Sequence, residues 1–291
     1  MLNPVYAANI NIHADDTLIN CFFRNLYNFS FHEADSLAEV INSSDIDNLT
    51  RNNIKSNLAW WKLLSGDEVD TNAKRCELSL NESIRSGSKS RQKDLNSLLN
   101  LIFYYSLKAR LENYTGNTLN SFISFYKSIT YVEECIEAPI EDERLKLVLG
   151  LYYYLIDYLH HEYFMMSTLL FTVQKGDKIK GLGLLGECSR SGNEMISTEA
   201  NYFLLKIYSY LEEDYPKARL YGYLLIQQYP GNLVYNVEYY KLLLKMHEKK
   251  ESDLFRNKLL GYINNAGNIN MNQKNHFILQ LGETPKTYVK K

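Results

Sequence analysis

The chain contains few of the residues that interrupt helices. Only five prolines and 14 glycines occur among its 291 residues. Sandwiches and barrels need many turns, which are rich in these two residues, so their scarcity disfavours all-β architectures. Hydrophobic residues still make up 45% of the chain, which is ample for a sizeable core. The composition therefore favours a protein built from long helices.

Cysteine is also scarce, and its placement excludes two kinds of site. The four cysteines, Cys21, Cys76, Cys135 and Cys188, are widely separated and form no CxxC pair. This spacing indicates neither a zinc site nor a disulfide framework. Each lies within a helical pattern, where a free cysteine acts as a small buried apolar residue.

The chain lacks both a strong excess of one charge and a long hydrophobic run. Its formal net charge is −2, and no long basic stripe occurs, so we expect no binding of nucleic acid. The densest cationic cluster, Lys245, Lys249 and Lys250, is interpreted as cations at a helix C-terminus. The most apolar run, 147–156, is far shorter than the roughly 20 residues of a transmembrane helix, so we expect no transmembrane segment.

The two ends are polar and carry a possible targeting signal. Residues 1–15 are predicted to be disordered and 284–291 to form a frayed tail. Val5-Tyr6-Ala7 is similar to the small-residue end of an export signal. The chain as given is therefore predicted to be cytoplasmic, or periplasmic if an upstream signal segment precedes it.

Apolar residues recur with helical spacing along the rest of the chain. This pattern predicts helices over 16–27, 31–41, 52–64, 69–84, 91–114, 118–137, 141–164, 179–189, 234–248, 251–263 and 271–281. A further apolar stretch over 165–173 is irregular and is interpreted as a crossing or a short helix. The helix over 141–164 is apolar nearly all round, so we expect it to be buried on most sides.

The stretch from Glu199 to Asn232 has the features of a complete helical hairpin. In chain order these are Tyr202, Leu205 and Tyr208 on a first helix, an acidic turn, then Tyr215, Ala218 and Pro230. Antiparallel helices pack closely where a small side chain faces a large one, so we expect Leu205 and Tyr208 to fill the gap beside Ala218. Tyr215 is expected to close the hairpin end, and Pro230 to stop the second helix.

Weaker copies of part of this pattern occur elsewhere. In each of them a turn or a large residue is followed three to five residues later by a small residue. They are Phe31 to Ala34, Gly116 to Ser121, and Gly176 to Gly181. The spacing between copies is irregular, which indicates long helices or extra turns between repeats. Gly176 is interpreted as part of a hairpin turn, because no GxxxxGK[ST] pattern and no preceding strand support a phosphate-binding loop. Gly181, Gly183 and Gly186 are predicted to mark close contacts between helices.

In order and spacing, residues 199–232 resemble the tetratricopeptide-repeat superfamily, whose unit spans about 34 residues. The whole chain, with Trp60-Trp61-Lys62-Leu63-Leu64-Ser65-Gly66 after the first hairpin, is similar to irregular bacterial members. It is more distantly similar to the tetratricopeptide-39/inclusion-clearance family. The resemblance implies an all-α solenoid of about five to six irregular hairpins, as a single domain over 16–283 with a C-terminal capping helix. It implies a scaffold that binds a protein or peptide on its concave face, with no catalytic residues and no cofactor.

First helices line the concave surface of such a solenoid, which makes their outward side chains candidates for partner contact. The candidates are Asn201, Tyr202, Lys206 and Tyr210, together with Trp61. Trp60 and Trp61 are adjacent and cannot share a helix face, and core packing of both is the favoured interpretation. The Lys/Asn/Arg set that holds carboxylate-ended peptides in this superfamily is not found, so recognition of a chaperone tail is not expected.

Two alternatives belong to other functional classes. Asp157 and His161 are four residues apart, so they share a helix face beside His160 and could belong to a metal-dependent or small-ligand-binding module. No HExxH pattern or third ligand accompanies them, and a polar helix end is the favoured interpretation. The other alternative is a structural subunit that associates with itself through an exposed apolar end.

Overall fold

The structure is a computed structural model that describes residues 17–89, 93–162 and 173–282. Within these ranges the chain forms 13 helices and no strand, which confirms the all-α prediction. The helices are α1 (17–27), α2 (Phe31–Ser43), α3 (Asn48–Leu64), α4 (Val69–Gly87), α5 (Leu95–Tyr114), α6 (Thr118–Cys135), α7 (Glu143–Glu162), α8 (Lys178–Cys188), α9 (Glu194–Tyr210), α10 (Tyr215–Gln228), α11 (Leu233–Lys245), α12 (Lys249–Asn265) and α13 (Met271–Gln280).

Each helix predicted within the described ranges is present. The largest differences are at three helix starts: α3 begins at Asn48 and α9 at Glu194, each several residues earlier than predicted, and α5 begins at Leu95, several residues later. The lysine cluster was assigned to the wrong end of a helix: Lys249 and Lys250 open α12, whereas Lys245 ends α11. The predicted disordered N-terminus, the frayed tail and most of the stretch 165–173 lie outside the described residues.

Acidic and amide side chains begin many of these helices. An N-cap oxygen accepts a hydrogen bond from the backbone N–H three residues later, which satisfies one donor that the helix cannot satisfy itself. This occurs at Asp94, Asn117, Asp177, Asp214, Asn232 and Asn270. The predicted turn at Gly116 is present, and its φ of +82° explains why glycine is favoured there.

The contacts divide the chain into two compact units. The first comprises Met1–Asp47, Asn57–Ala73 and Leu205–Lys291, and the second comprises Asn48–Ser56 and Lys74–Leu204. The division falls within α3, α4 and α9, so three helices contribute residues to both units. The single domain over 16–283 stays a prediction.

An aromatic cluster forms the core of the first unit. Trp61 lies at its centre, with ring centroids 5.4 Å from Tyr27, 6.2 Å from Phe29 and 5.5 Å from Tyr235. Phe29 also lies 6.1 Å from Phe277 of α13. Edge-to-face and tilted contacts at such distances are favourable for aromatic rings. The cluster joins helices from both ends of the chain within this unit.

Hydrogen bonds between side chains and backbone join the same helices. The side-chain amide of Asn232 donates to the Tyr27 carbonyl at 2.7 Å, while its oxygen caps α11 by accepting from the Tyr235 N–H. The Gly231 N–H donates to the Asn28 side chain at 3.0 Å. In a simple solenoid each repeat contacts only its neighbours. The contacts described here join segments that are far apart in the chain. The solenoid arrangement therefore stays a prediction.

Three residues of the predicted α9–α10 hairpin, Ala218, Leu205 and Tyr208, are buried, and Pro230 lies in the turn after α10. The packing of Leu205 and Tyr208 beside Ala218 stays a prediction. The role of Gly222 was not predicted from the sequence. A Cβ atom there would lie 3.2 Å from Leu205 and 2.9 Å from Tyr239, so this glycine provides space for both side chains. Tyr208 stacks on Tyr221, with ring centroids 5.9 Å apart.

In the second unit α5 packs on α6 and α7 packs on α8. The α7–α8 contact is close because Gly181 lies directly against the α7 backbone. A Cβ atom at Gly181 would lie 2.5 Å from the Tyr154 nitrogen. The prediction of a close helix contact is wrong for Gly183 and Gly186, where a Cβ atom would meet no atom within 4 Å outside the neighbouring backbone of α8. Gly176 also lies against the α7 backbone, beside Asp157.

We expect Gly181→Ala to lower the free energy of unfolding by about 1–3 kcal/mol, because the added methyl group collides with backbone that cannot move aside. Gly183→Ala is the matched control on the same helix. It should be neutral or stabilising by up to about 1 kcal/mol, since alanine favours the helix. Urea unfolding followed by circular dichroism measures both. Equal effects of the two substitutions would contradict the assigned α7–α8 contact.

Candidate functional site: a cavity in the second unit

The structure does not place the predicted partner-contact residues on one accessible face. Trp61 is 3% exposed within the aromatic core of the first unit, so a partner cannot reach it, and Trp60 is buried as well. Asn201 is also 3% exposed, and Tyr202 is half-buried. Asn201 is therefore corrected to an interior residue, and Trp61 is removed from the contact candidates, because the favoured interpretation of both tryptophans as core residues is confirmed. Their burial follows from tertiary packing, which helix periodicity alone does not reveal.

Lys206 and Tyr210 are more accessible, but both belong to a network around Glu238. The Glu238 carboxylate accepts from Lys206 Nζ at 2.6 Å, Tyr210 Oη at 3.1 Å and Lys241 Nζ at 3.0 Å. The Tyr210 ring lies 4.2 Å from Lys206 Nζ and 4.1 Å from Lys245 Nζ, which are cation–π distances. These contacts hold α9 against α11, so the two predicted contact residues have a structural role.

The charges in this network have a defined effect on ionisation. Burial opposes ionisation of Glu238, but Lys206 and Lys241 outweigh it and hold the pKa of this carboxyl below its ordinary value. Burial and the nearby Glu238 charge raise the pKa of Tyr210. At neutral pH the network therefore consists of an anionic carboxylate, its lysine partners and a neutral tyrosine.

The histidine pair is not part of a three-ligand group among the described residues. His161 Nε2 lies 3.6 Å from Asp157 Oδ1, but the His161 side chain is 78% exposed. The other carboxylate oxygen of Asp157 accepts from the Lys178 N–H at 3.3 Å, which ties it to the start of α8. Across the described residues, no three His, Cys, Asp or Glu side chains are grouped so as to hold a metal ion.

The buried cysteines are poor candidates for a nucleophile. All four cysteines are free. Burial raises the pKa of the Cys76 thiol to about 12, and those of Cys135 and Cys188 to about 11. The thiolate is the reactive form, so these three thiols are inert at neutral pH.

The candidate site is a cavity of about 350 Å³ within the second unit. Its walls come from α5, α6 and α7, and Phe203 of α9 contributes one further side chain. Large apolar residues form most of the wall, among them Ile102, Phe125, Val132, Val148, Leu151 and Leu155. We call this space the α5–α7 cavity.

Small residues on α5 and α6 leave this space open. Ala109 of α5 and Ser121 and Ser128 of α6 all line the cavity. The Ser121 hydroxyl donates to the Ala109 carbonyl at 2.8 Å, and the Ser128 hydroxyl donates to the Phe125 carbonyl at 2.7 Å. Because both hydroxyls bond to backbone, even these serines give the cavity a largely apolar wall.

One side of the cavity is polar. Ser106, Arg110 and Asn113 line it from α5, at a spacing of four and three residues that places them on one helix face. The Arg110 guanidinium lies 5.8 Å from the Phe203 ring, and its Nη1 lies 3.6 Å from Glu199 Oε2. Arg110 is the one charged side chain among the described residues that line this cavity.

The cavity was not predicted from the sequence, although two of its components were noted. Ser121 was predicted to be a small packing residue, and α7 was predicted to be buried on most sides. Instead Val148, Leu151 and Leu155 of α7 are only half-buried where they line the cavity. The sequence signal that points to such a cavity is a helix that is apolar on all sides and lies beside helices with small residues on their inward faces.

No family model matches the chain, and neither a curated protein nor a solved structure matches it. The resemblance to tetratricopeptide repeats therefore stays a prediction. In the part of the chain that the structure describes, no helix has the length and apolar character needed to cross a bilayer.

The Glu238 network predicts a pH-dependent loss of stability. Because the pKa of Glu238 is lower in the folded than in the unfolded protein, its stabilisation is present above the unfolded value and disappears as pH falls through the folded value. At pH 7 we expect Glu238→Gln to lower the unfolding free energy by about 1–3 kcal/mol.

The difference in unfolding free energy between Glu238→Gln and the wild type should shrink as pH falls below 4.5, the ordinary pKa of a glutamate carboxyl. Glu39→Gln, on an exposed position of α2, is the control and should change stability little at either pH. Urea unfolding at several pH values measures the effect. A Glu238→Gln difference that stays constant with pH would contradict this assignment.

Proposed function

We propose that this chain is a non-enzymatic binding scaffold of the irregular tetratricopeptide type, and that it holds a segment of a protein or peptide. One observation carries the proposal: the α5–α7 cavity is a largely apolar space walled by α5, α6 and α7, with Phe203 of α9 beside it. In the predicted repeat order α5, α7 and α9 are first helices, which were expected to form the binding face, and α6 is the second helix of the α5–α6 hairpin. The cavity replaces the residues predicted from sequence as the binding site.

The size of the cavity suits apolar side chains of a partner. Small-molecule sites span about 300–1,000 Å³, so a volume of about 350 Å³ lies at the lower end. A cavity of roughly 150 Å³ in another protein accommodates benzene, so this one has room for two groups of that size. Large apolar anchors that enter pockets contribute much of the affinity in many interfaces.

The lining also favours binding over a reaction. The walls are mainly aliphatic and aromatic, and two of the three lining serines donate to backbone carbonyls. Full burial of one large apolar side chain contributes about 1.5–3 kcal/mol, so two anchors account for a useful affinity. We therefore assign recognition to the cavity, with specificity set by the shape of the apolar group.

The test begins with peptides selected from a random displayed library on the immobilised wild-type protein. Their affinities are then measured by fluorescence polarisation on variants that fill the cavity. We expect Ala109→Leu and, from a second helix, Val148→Phe each to weaken binding at least about tenfold, since the added atoms occupy the space of the anchor.

Ile123→Phe is the matched control, because this exposed residue of α6 does not line the cavity. It should leave the affinity unchanged, and urea unfolding should show that all three variants are folded. If no peptide is selected, or if folded Ala109→Leu and Val148→Phe bind as tightly as the wild type, the proposed function is wrong.

A further inference from the structure

The side chains on the polar side of the α5–α7 cavity can all donate hydrogen bonds, and Arg110 can only donate. Ser106, Arg110 and Asn113 together offer a hydroxyl, a guanidinium and an amide along one face of α5. Such a row is complementary to a group rich in acceptors. The guanidinium adds a fixed positive charge, because arginine stays protonated in proteins. An otherwise apolar cavity with one cationic wall suits an amphipathic anion.

A guanidinium that already has one carboxylate neighbour can contact a second anion, because its five N–H donors form a fork. Arg219 of the first unit shows that one guanidinium in this protein contacts two carboxylates, with Nη1 3.0 Å from Glu248 and Nη2 2.7 Å from Glu251. The Arg110–Glu199 distance of 3.6 Å is longer than either, and longer than the roughly 2.7–2.9 Å of a direct charge-assisted hydrogen bond.

We propose that the ligand of the α5–α7 cavity is a carboxylate joined to an apolar group, with the apolar group inside the cavity and the carboxylate on Arg110. This inference rests on the proposed function in that it uses the same cavity. A planar carboxylate matches the fork of a guanidinium, and Asn113 and Ser106 supply further donors on either side along the helix. Two sources share this chemistry: a small free acid, and an acidic side chain beside a large apolar residue of a peptide.

The probe for the free acid is octanoate, and 1-octanol is its uncharged counterpart with the same chain length. Both are titrated into the full chain, and amide chemical shifts measured by NMR report the affinities. We expect octanoate to bind at least about tenfold more tightly than 1-octanol, since only octanoate pairs with the guanidinium. Ala109→Leu should weaken the binding of both, because it fills the apolar part of the site.

Substitutions on α5 test the role of the charge. Arg110→Gln should abolish the preference for octanoate, and Lys108→Gln should retain it. The latter removes one positive charge from the same helix, at a residue that contacts Asn81 and Glu112 and does not line the cavity. Arg110→Gln leaves Glu199 without this cation, so the double variant Arg110→Gln/Glu199→Gln is measured as well and should also lack the preference.

Glu199→Gln gives a result that a purely structural Arg110–Glu199 pair would not produce. Removal of the competing carboxylate should tighten the binding of octanoate several-fold and leave that of 1-octanol unchanged. The inference is overturned if the wild type binds 1-octanol as tightly as octanoate, or if Arg110→Gln and the double variant retain the preference.

Peptides distinguish the two sources. Each selected peptide with an acidic residue is compared with its amide counterpart, Glu to Gln or Asp to Asn. A loss of at least about tenfold that disappears in Arg110→Gln assigns the carboxylate to a side chain of the partner. If octanoate binds as expected and no peptide binds, the carboxylate inference stands and the proposed peptide scaffold falls. If peptides bind in the cavity with no preference for acid, and octanoate has no advantage over 1-octanol, the peptide scaffold stands and the carboxylate inference falls.

Discussion

Close packing of helices in this protein depends on small residues that face large groups. Two helices approach closely only where one of them lacks a side chain at the point of contact. Gly181 meets this condition in the second unit, where α8 lies against the α7 backbone. Gly150 does so from the other side, since a Cβ atom there would lie 3.0 Å from Leu185. In the first unit Gly222 plays the same part between Leu205 and Tyr239.

The same constraint explains why a cavity exists between α5, α6 and α7. Ala109, Ser121 and Ser128 are small, and among the residues that the structure describes no large side chain fills the space in front of them. Atoms that line such a space lose the dispersion contacts that a filled core supplies. The apolar group of a ligand restores these contacts, and the small residues can thus be understood as complementary to a ligand. In the aromatic core of the first unit, by contrast, Trp61 and its neighbours fill the interior from within the chain.

Local sequence patterns predicted the helices well, because periodicity and capping act within a few residues. Asp214 and Ala218 show how local such signals are, since the first caps α10 through the N–H three residues later and the second is a small buried residue near the start of the same helix. Contacts between distant segments were not predictable in this way. Trp61 is buried by Tyr27 and Tyr235, and nothing near Trp61 in the sequence specifies which partners cover it.

Which face of a helix contacts a neighbouring helix also depends on tertiary packing. Gly181 and Gly183 lie two residues apart on α8, and although only Gly181 belongs to a repeat-like step, the sequence led us to expect a close helix contact at both. Only Gly181 faces α7. The cavity was missed for a related reason: small residues on α5 and α6 signal close packing when a large group faces them, and an open space when none does. Helix periodicity cannot distinguish these two cases.

A comparison of the two arginines shows what a binding role at the cavity requires. Arg219 contacts Glu248 and Glu251 at 3.0 and 2.7 Å and links the start of α12 to α10, an arrangement with a structural purpose. Arg110 lies against Phe203 on the wall of an apolar space, with its carboxylate partner at 3.6 Å. The Arg110 side chain is 32% exposed, so water reaches part of it, and the apolar walls beside it make attraction to an anion stronger than in bulk water. An arginine in such a position therefore favours ligands that bring a carboxylate along with their apolar group.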